Sequence, residues 1–442
     1  MKPDNSGIKF GPFWLTPNIS RTNAVTYFFS AFMFVTLVTF LNFLQPYILN
    51  EILHVPAEQQ GAVTGGLNFF HEGTAFILMG LVGAWSDRSG RRVLMIIGLL
   101  IWTLGLAVYP IAESVFQLYV FRFVIAVGVA IASVMVIATM QDYPQEVSRG
   151  KWGGFNSFVT SFAILFVSIV LVRLPGFFAG LGYDAARSGM YTFWVGAALA
   201  IIAALVIRFG YFGGKIVAAS DVGSPFTGFF AGIREARHNP RIALAYGTGF
   251  AARGDLVVVG SFFSLWFVRA GAEQGIASAD ALVRAGITMA ALLVANWLWA
   301  PSFGIILDRI NRVSGLCFAM AMATIGYAAI GMVSDPYDMK IMLPATFVLG
   351  IGEISAVVAG NALIGQEAPP RIRGAAVGVF GLVGTLGILF ATFVGGQLFD
   401  RIGYGAPFTM MACVNAVIFI WAFIVRRRAG QLLAVSAADS GS

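Results

Sequence analysis

The chain is short of charge. Only 11% of its 442 residues are Asp, Glu, Lys or Arg, and 58% are hydrophobic, where a soluble domain carries roughly 25% charged residues. Such a chain cannot cover itself with polar surface in water. That excludes a soluble fold, and the formal net charge of +7 is then no sign of nucleic-acid binding. Cysteine is scarce as well: Cys317 and Cys413 both lie in apolar runs. They read as small core residues, with no disulfide framework and no zinc-ligand spacing. The three histidines, His54, His71 and His238, are too scattered for a metal site. No phosphate-binding glycine loop is present, which excludes ATP as the energy source. No nucleophile, base and metal ligands cluster, so an enzyme is not expected, nor any cofactor. The N-terminus holds Lys2, Asp4, Lys9, Arg21 and several prolines. It lacks the basic start and apolar core of a signal peptide.

What the chain has is long apolar runs. A helix needs about 20 residues to cross a bilayer. Twelve runs qualify, at roughly 24–50, 62–86, 93–112, 115–140, 155–178, 190–212, 242–268, 284–307, 314–333, 341–365, 375–398 and 406–425. The long connection between the sixth and seventh divides the chain into a bundle over 1–212, a linker over 213–241 and a bundle over 242–442. In the linker, "SPFTGFFAGIREARHNPR" predicts a short amphipathic helix lying on the membrane, with Ser224 as cap and Pro225 at its first position. With both termini placed in the cytosol, 20 of the 28 Lys and Arg fall on the cytosolic side and six on the other. That bias orients the chain. It predicts a multi-pass protein of the plasma membrane or bacterial inner membrane.

The charges between apolar runs repeat. "GAWSDRSGRR" begins at Gly83 and "GIILDRINR" at Gly304, 221 residues later. "QDYPQEVSRG" begins at Gln141 and "QEAPPRIRG" at Gln366, with one residue inserted in the first copy. Both copies of each motif follow even-numbered spans. The predicted fold is therefore an all-α membrane protein of twelve transmembrane helices, two six-helix bundles in pseudo-twofold parallel repeat.

The pattern Gly83, Asp87, Arg88, Gly90, Arg91, Arg92 resembles the signature loop between helices two and three of the major facilitator superfamily. Gly304, Asp308, Arg309 and Arg312 resemble its second-half copy, and "GGQLFDRIGYGAPF" is similar to the family's last loop. The resemblance implies a cytosolic gate. Asp87 would face the positive N-terminus of helix eleven near Gly374, and Arg91 would pair with Asp142 at the end of helix four. Asp308, Arg312 and Glu367 would repeat this against helix five near Gly153. The plainer alternative is that these charges only mark topology.

Charges at bilayer depth are functional candidates by default. His71 and Glu72 lie in helix two, Arg122 in helix four, Arg253 and Asp255 in helix seven, and Glu353 in helix ten. The resemblance implies that helices one, four, seven and ten line the central cavity. Arg122 partly matches the family's helix-four motif, with Ala126 where a glycine is expected and Gly128 kept. It reads equally as a structural partner of Glu72. Arg253 and Asp255, two residues apart, point about 200° from each other around a helix. Arg253 is expected to meet Glu353, or Asp255 to face Arg122. A carboxylate that takes up and releases a proton suits coupling, and His71 with Glu72 would form a relay. The aromatic stripe of helices seven and eight reads as packing. Helix five lacks the Gly-Pro pair that family drug antiporters show.

The expectation is a monomeric secondary transporter using alternating access. It would move a small organic solute, anionic or zwitterionic, with protons as the coupling partner. The alternative is a proton-driven exporter of drugs or lipophilic compounds. A membrane receptor that keeps the fold would carry an added signalling domain.

Overall fold

The structure, a computed structural model, describes residues 7–214, 233–368 and 373–439. It is almost wholly helical. Twelve long helices run in order: α1 (Arg21–Tyr47), α2 (Gln60–Ser89), α3 (Arg91–Val108), α4 (Val115–Asp142), α5 (Arg149–Ile169), α6 (Ala185–Gly210), α7 (Pro240–Glu273), α8 (Ser278–Arg309), α9 (Arg312–Gly331), α10 (Met339–Glu367), α11 (Arg373–Arg401) and α12 (Ala406–Asp439). Among the described residues eleven helical spans are long and apolar enough to cross a membrane. α2 carries Asn68, His71 and Glu72 among its apolar residues. Most helices outrun the apolar windows that located them. α7 continues to Glu273 and α8 begins at Ser278, because helix propensity carries the backbone past the hydrocarbon edge. The fifth span is broken instead: α5 stops at Ile169, and after a 3-10 turn a short helix, Leu174–Gly180, starts with Pro175 in its first turn. The linker helix placed on Ser224 and Pro225 lies outside the described residues, although residues 233–238 are helical.

The chain forms two compact units. The first holds the described residues of Met1–Val63, Leu67–Asp221 and Gly271–Ile287, and the second those of Thr64–Gly66, Val222–Ala270 and Thr288–Ser442. In the first, α3 packs between α4 and α6, while α1 packs on α5 and α6. In the second, α9 packs between α10 and α12. The two arrangements match in residue detail. A Cβ on Gly105 of α3 would come within 3.0 Å of the backbone nitrogen of Ile125 on α4, and one on Gly326 of α9 within 3.0 Å of the nitrogen of Leu349 on α10. Gly326 lies 221 residues after Gly105, the offset already seen in the charged motifs. Neither helix pair can approach this closely with a side chain at that position.

The N-terminal tail is a folded strap. β1 (Lys9–Phe10) and β2 (Phe13–Trp14) pair antiparallel around Gly11 and Pro12. Gly11 sits at φ 54°, where a tight hairpin needs a residue without a Cβ penalty. Phe13 is buried edge-on against Trp152 and packs on Phe28 and Phe155. Trp14 N donates to Ser148 Oγ at 2.8 Å, and Gln145 Nε2 donates to Leu15 O at 2.9 Å. Thr16 Oγ1 donates to Asp142 O at 2.9 Å, with Tyr143 O at 3.1 Å sharing the proton. Ser20 and Asn23 then cap α1 reciprocally. Thr16→Val should lower stability by about 1 kcal/mol, one net hydrogen bond, with the strap's other bonds intact. Thermal unfolding of detergent-purified protein measures this, and an unchanged midpoint would mean the tail contributes nothing.

Candidate functional site

The charged residues of the spans separate into one polar cluster in each unit. In the first, Arg122 of α4 is only 1% exposed. Its Nη2 donates to Asn42 Oδ1 of α1 and to Asn68 Oδ1 of α2, both at 2.7 Å. Tyr109, Glu72 and His71 surround the guanidinium closely enough to interact with its charge. Tyr109 in turn donates to Gln45 Oε1 at 3.4 Å. Arg122 Nε and Nη1 are buried and meet no acceptor in hydrogen-bond geometry among the described residues. The first call on the arginine is thus made by two neutral amides, with Glu72 acting electrostatically. The three nitrogens of one buried cation are unequally used.

In the second unit, Asp255 of α7 is fully buried and Glu353 of α10 is 2% exposed. Asn415 Nδ2 of α12 donates to both Asp255 oxygens, at 2.9 and 3.1 Å, and to Met411 O at 3.0 Å. The hydroxyl of buried Tyr327 on α9 lies beside Asp255, and Glu353 is near enough to act on it. Asn296 of α8 meets Glu353. One helical turn away, Trp299 Nε1 donates to Ser355 Oγ at 2.8 Å. Neither carboxyl joins an ion pair among the described residues.

Arg253 does not meet Glu353. It is exposed and runs along α11 against Gly384, while Asp255 two residues on is buried. The two-residue spacing puts them on opposite faces of α7, and the buried face went to the carboxylate, which is smaller and has Asn415 to receive it. Cys413, read as a core residue, is exposed; Cys317 is buried. Phe262, Phe263, Trp266 and Phe267 of α7 are buried in the second unit as packing.

In the first unit, Arg91 Nε lies 3.2 Å from Asp142 Oδ2. The second copy of the motif is wired differently. Arg312 Nε donates to Gln366 Oε1 at 3.3 Å, and Glu367 receives Arg241 at 3.1 Å from the start of α7. The arginine's acceptor lies one position earlier in this copy, and Glu367 turns toward α7. The side chains of Asp87, Arg88 and Asp308 lie outside the described residues. Sequence reasoning counted ionisable groups in the spans and so missed Asn42, Asn68, Asn296 and Asn415. An amide inside an apolar run was the available signal.

The Major Facilitator Superfamily model matches residues 27–337 and 273–439. The chain belongs to the major facilitator superfamily. It is thus an all-α transporter of the secondary type, a multi-pass membrane protein of twelve transmembrane helices in two six-helix bundles. It is 25% identical over 423 residues to magnetosome protein MamH of Paramagnetospirillum magneticum, covering 92% of this chain and 93% of that protein. It is 27% identical over 401 residues to magnetosome protein MamZ of Magnetospirillum gryphiswaldense, covering 86% of this chain but only 58% of MamZ. The crystal structure of the nucleoside transporter NupG superposes with a TM-score of 0.69 at 14% identity, covering 92% of this chain and 99% of that one. That likeness is one of fold.

Proposed function

We propose that this facilitator is a proton-coupled transporter of a small organic solute with an anionic or zwitterionic group. Asp255 and Glu353 carry the proton, and Arg122 meets the negative group of the solute. The observation behind this reading is the pair of buried carboxyls with amide donors and no countercharge among the described residues. A carboxylate in a salt bridge is held charged throughout a cycle, whereas one served only by neutral donors is free to change protonation. Arg122 supports the solute's charge, since Nε and Nη1 still have hydrogen bonds to give. His71 and Glu72 tune that arginine, and Arg253 lies at the edge of the path.

The bundles 1–212 and 242–442 alternate about their linker, the termini face the cytosol of a plasma or inner membrane, and the transporter works as a monomer. Asp87, Arg88, Arg91 and Asp142 latch the cytosolic side, with Asp308, Arg312 and Glu367 as the second-half counterpart. In proteoliposomes loaded with a pH-sensitive dye, organic anions and zwitterions are offered with and without an inward proton gradient. One solute should acidify the lumen as it enters. Asp255→Asn or Glu353→Gln should abolish gradient-driven accumulation while sparing solute exchange, because the amide keeps the shape and cannot carry the proton. Full accumulation by both variants would end the proton-coupled reading.

A further inference from the structure

The N-terminal strap, α1 and α5 enclose a cleft that plays no part in the transport reading. The turn from Phe10 to Phe13 forms one wall, Val25 and Phe28 of α1 another, and Phe155 of α5 the third. The cleft has a volume of about 390 Å³, and no residue lining it carries a polar side chain. It opens to the outside at Val25 and Phe155, which are 55% and 44% exposed. Its inner side is fixed by ring packing. Phe28 meets Trp152 at 4.3 Å and Phe155 at 4.8 Å between centroids, and Phe13 meets Phe155 at 5.9 Å. Beyond the cleft α5 continues the apolar surface. Phe158 and Phe162 follow Phe155 by three and seven residues, on the same helix face, and both are exposed. That stripe is about 10 Å long.

Cations stand at the end of the cleft where the helices start. Arg21 precedes Val25 by four residues, and Lys151 precedes Phe155 by four. Each therefore sits one turn, about 6 Å, from a lining residue on the same helix face. Lys9 immediately precedes Phe10 in β1. All three are exposed, and none forms an ion pair among the described residues. The acids that precede α5 are engaged elsewhere, Asp142 with Arg91 and Glu146 with Arg149. Arg21 and Lys151 occupy the first turns of α1 and α5, and neither first turn holds an acid. A helix N-terminus carries partial positive charge, so a basic residue there opposes the dipole. Two helix starts and three side chains thus gather positive charge at one end of an apolar cleft.

We propose that this cleft binds one anionic phospholipid, its acyl chain between the strap and Phe155 and its phosphate among Arg21, Lys151 and Lys9. The order along the helices fits a lipid. The cations lie at the helix starts, where headgroups are, and the apolar stripe runs from there toward the hydrocarbon. A free inorganic anion would meet the cations and leave the cleft empty. A zwitterionic phospholipid would bring an ammonium group to a cationic rim and lose the attraction. A lipid seated here joins the strap to α5, so it stabilises the folded chain by mass action.

The test needs no transported solute. Full-length protein in detergent is mixed with equal amounts of dioleoyl phosphatidylglycerol and dioleoyl phosphatidylethanolamine, and bound lipid is counted by native mass spectrometry. The wild-type chain should retain one phosphatidylglycerol in preference, and its thermal midpoint should rise with that lipid alone. Arg21→Gln with Lys151→Gln should weaken phosphatidylglycerol binding about tenfold and abolish the preference. Both side chains are exposed, so this variant should fold. Val25→Trp keeps every charge and should weaken binding as much, because the larger ring fills the cleft from its open side. Arg426→Gln with Arg427→Gln removes two exposed cations near the other end of the chain and should change nothing. Equal retention of both lipids by the wild type would mean annular lipid only and would overturn the proposal. So would wild-type preference in either the doubly neutralised variant or Val25→Trp. An equal loss in the Arg426 and Arg427 variant would make the attraction a property of exposed cations in general, and the site would fall. A midpoint rise as large with glycerol 3-phosphate would also end it, since the site would then take a free anion and not a lipid.

Discussion

Asn415→Leu should cost about 3–5 kcal/mol of stability, and adding Asp255→Leu to the same chain should return most of it. Asn415 Nδ2 supplies hydrogen bonds to both oxygens of a carboxyl with no exposure at all. Leucine removes them and leaves a buried acid facing apolar atoms. Removing one partner of a buried polar pair costs far more than replacing both by apolar groups of similar shape. Unfolding of the two single variants and the double variant in detergent closes a thermodynamic cycle. A loss under about 1 kcal/mol for Asn415→Leu would mean that Tyr327 and Glu353 already satisfy Asp255. The double variant should fold and fail to accumulate solute on a pH gradient, which separates the carboxyl's cost to the fold from its use in coupling.

Arg122→Ala is the second large effect. It strips the donor from Asn42 and Asn68, both bound at 2.7 Å, and removes a cation that interacts with Glu72. The expected cost is about 3–5 kcal/mol, seen as a collapse of folded yield. Arg122→Lys should behave differently. Both observed bonds come from one nitrogen, and an ammonium with three donors can reproduce them. Lysine should therefore restore much of the folded yield. It cannot replace Nε and Nη1, the nitrogens that the proposed function assigns to the solute, so on that proposal transport should stay low. Arg122→Lys with wild-type transport would make the arginine a structural residue and take the solute's charge elsewhere.

The second-unit cluster shows why site residues were harder to read than helices. Asp255 and Glu353 stood out as charges in apolar runs, but their partners did not. Asn415 and Asn296 are neutral, and nothing in a linear string marks one amide among many as the donor to a given carboxyl. Arg253 was expected on Glu353 because opposite charges at one depth suggest a pair. It lies instead along α11, since its own helix had one buried face to give and Asp255 occupies it. Among the charged motif residues, Arg91 with Asp142 follows the motif's spacing, whereas Glu367 went to Arg241, a residue no motif linked to it.

The number and rough position of the spans, the all-helical class and the 221-residue repeat were legible in the sequence itself. The bilayer is a uniform solvent that asks only for about 20 apolar residues with every backbone group bonded internally. Hydropathy reads that demand residue by residue. Tertiary structure alone decided which glycines face backbone, where the N-terminal strap docks, which amide serves which acid, and that Thr64–Gly66 and Gly271–Ile287 pack with the other half of the chain. Those outcomes depend on which face of each helix turns to which neighbour. Inside a membrane apolar packing differs little from one face to the next, so close approach and a few hydrogen bonds settle the choice.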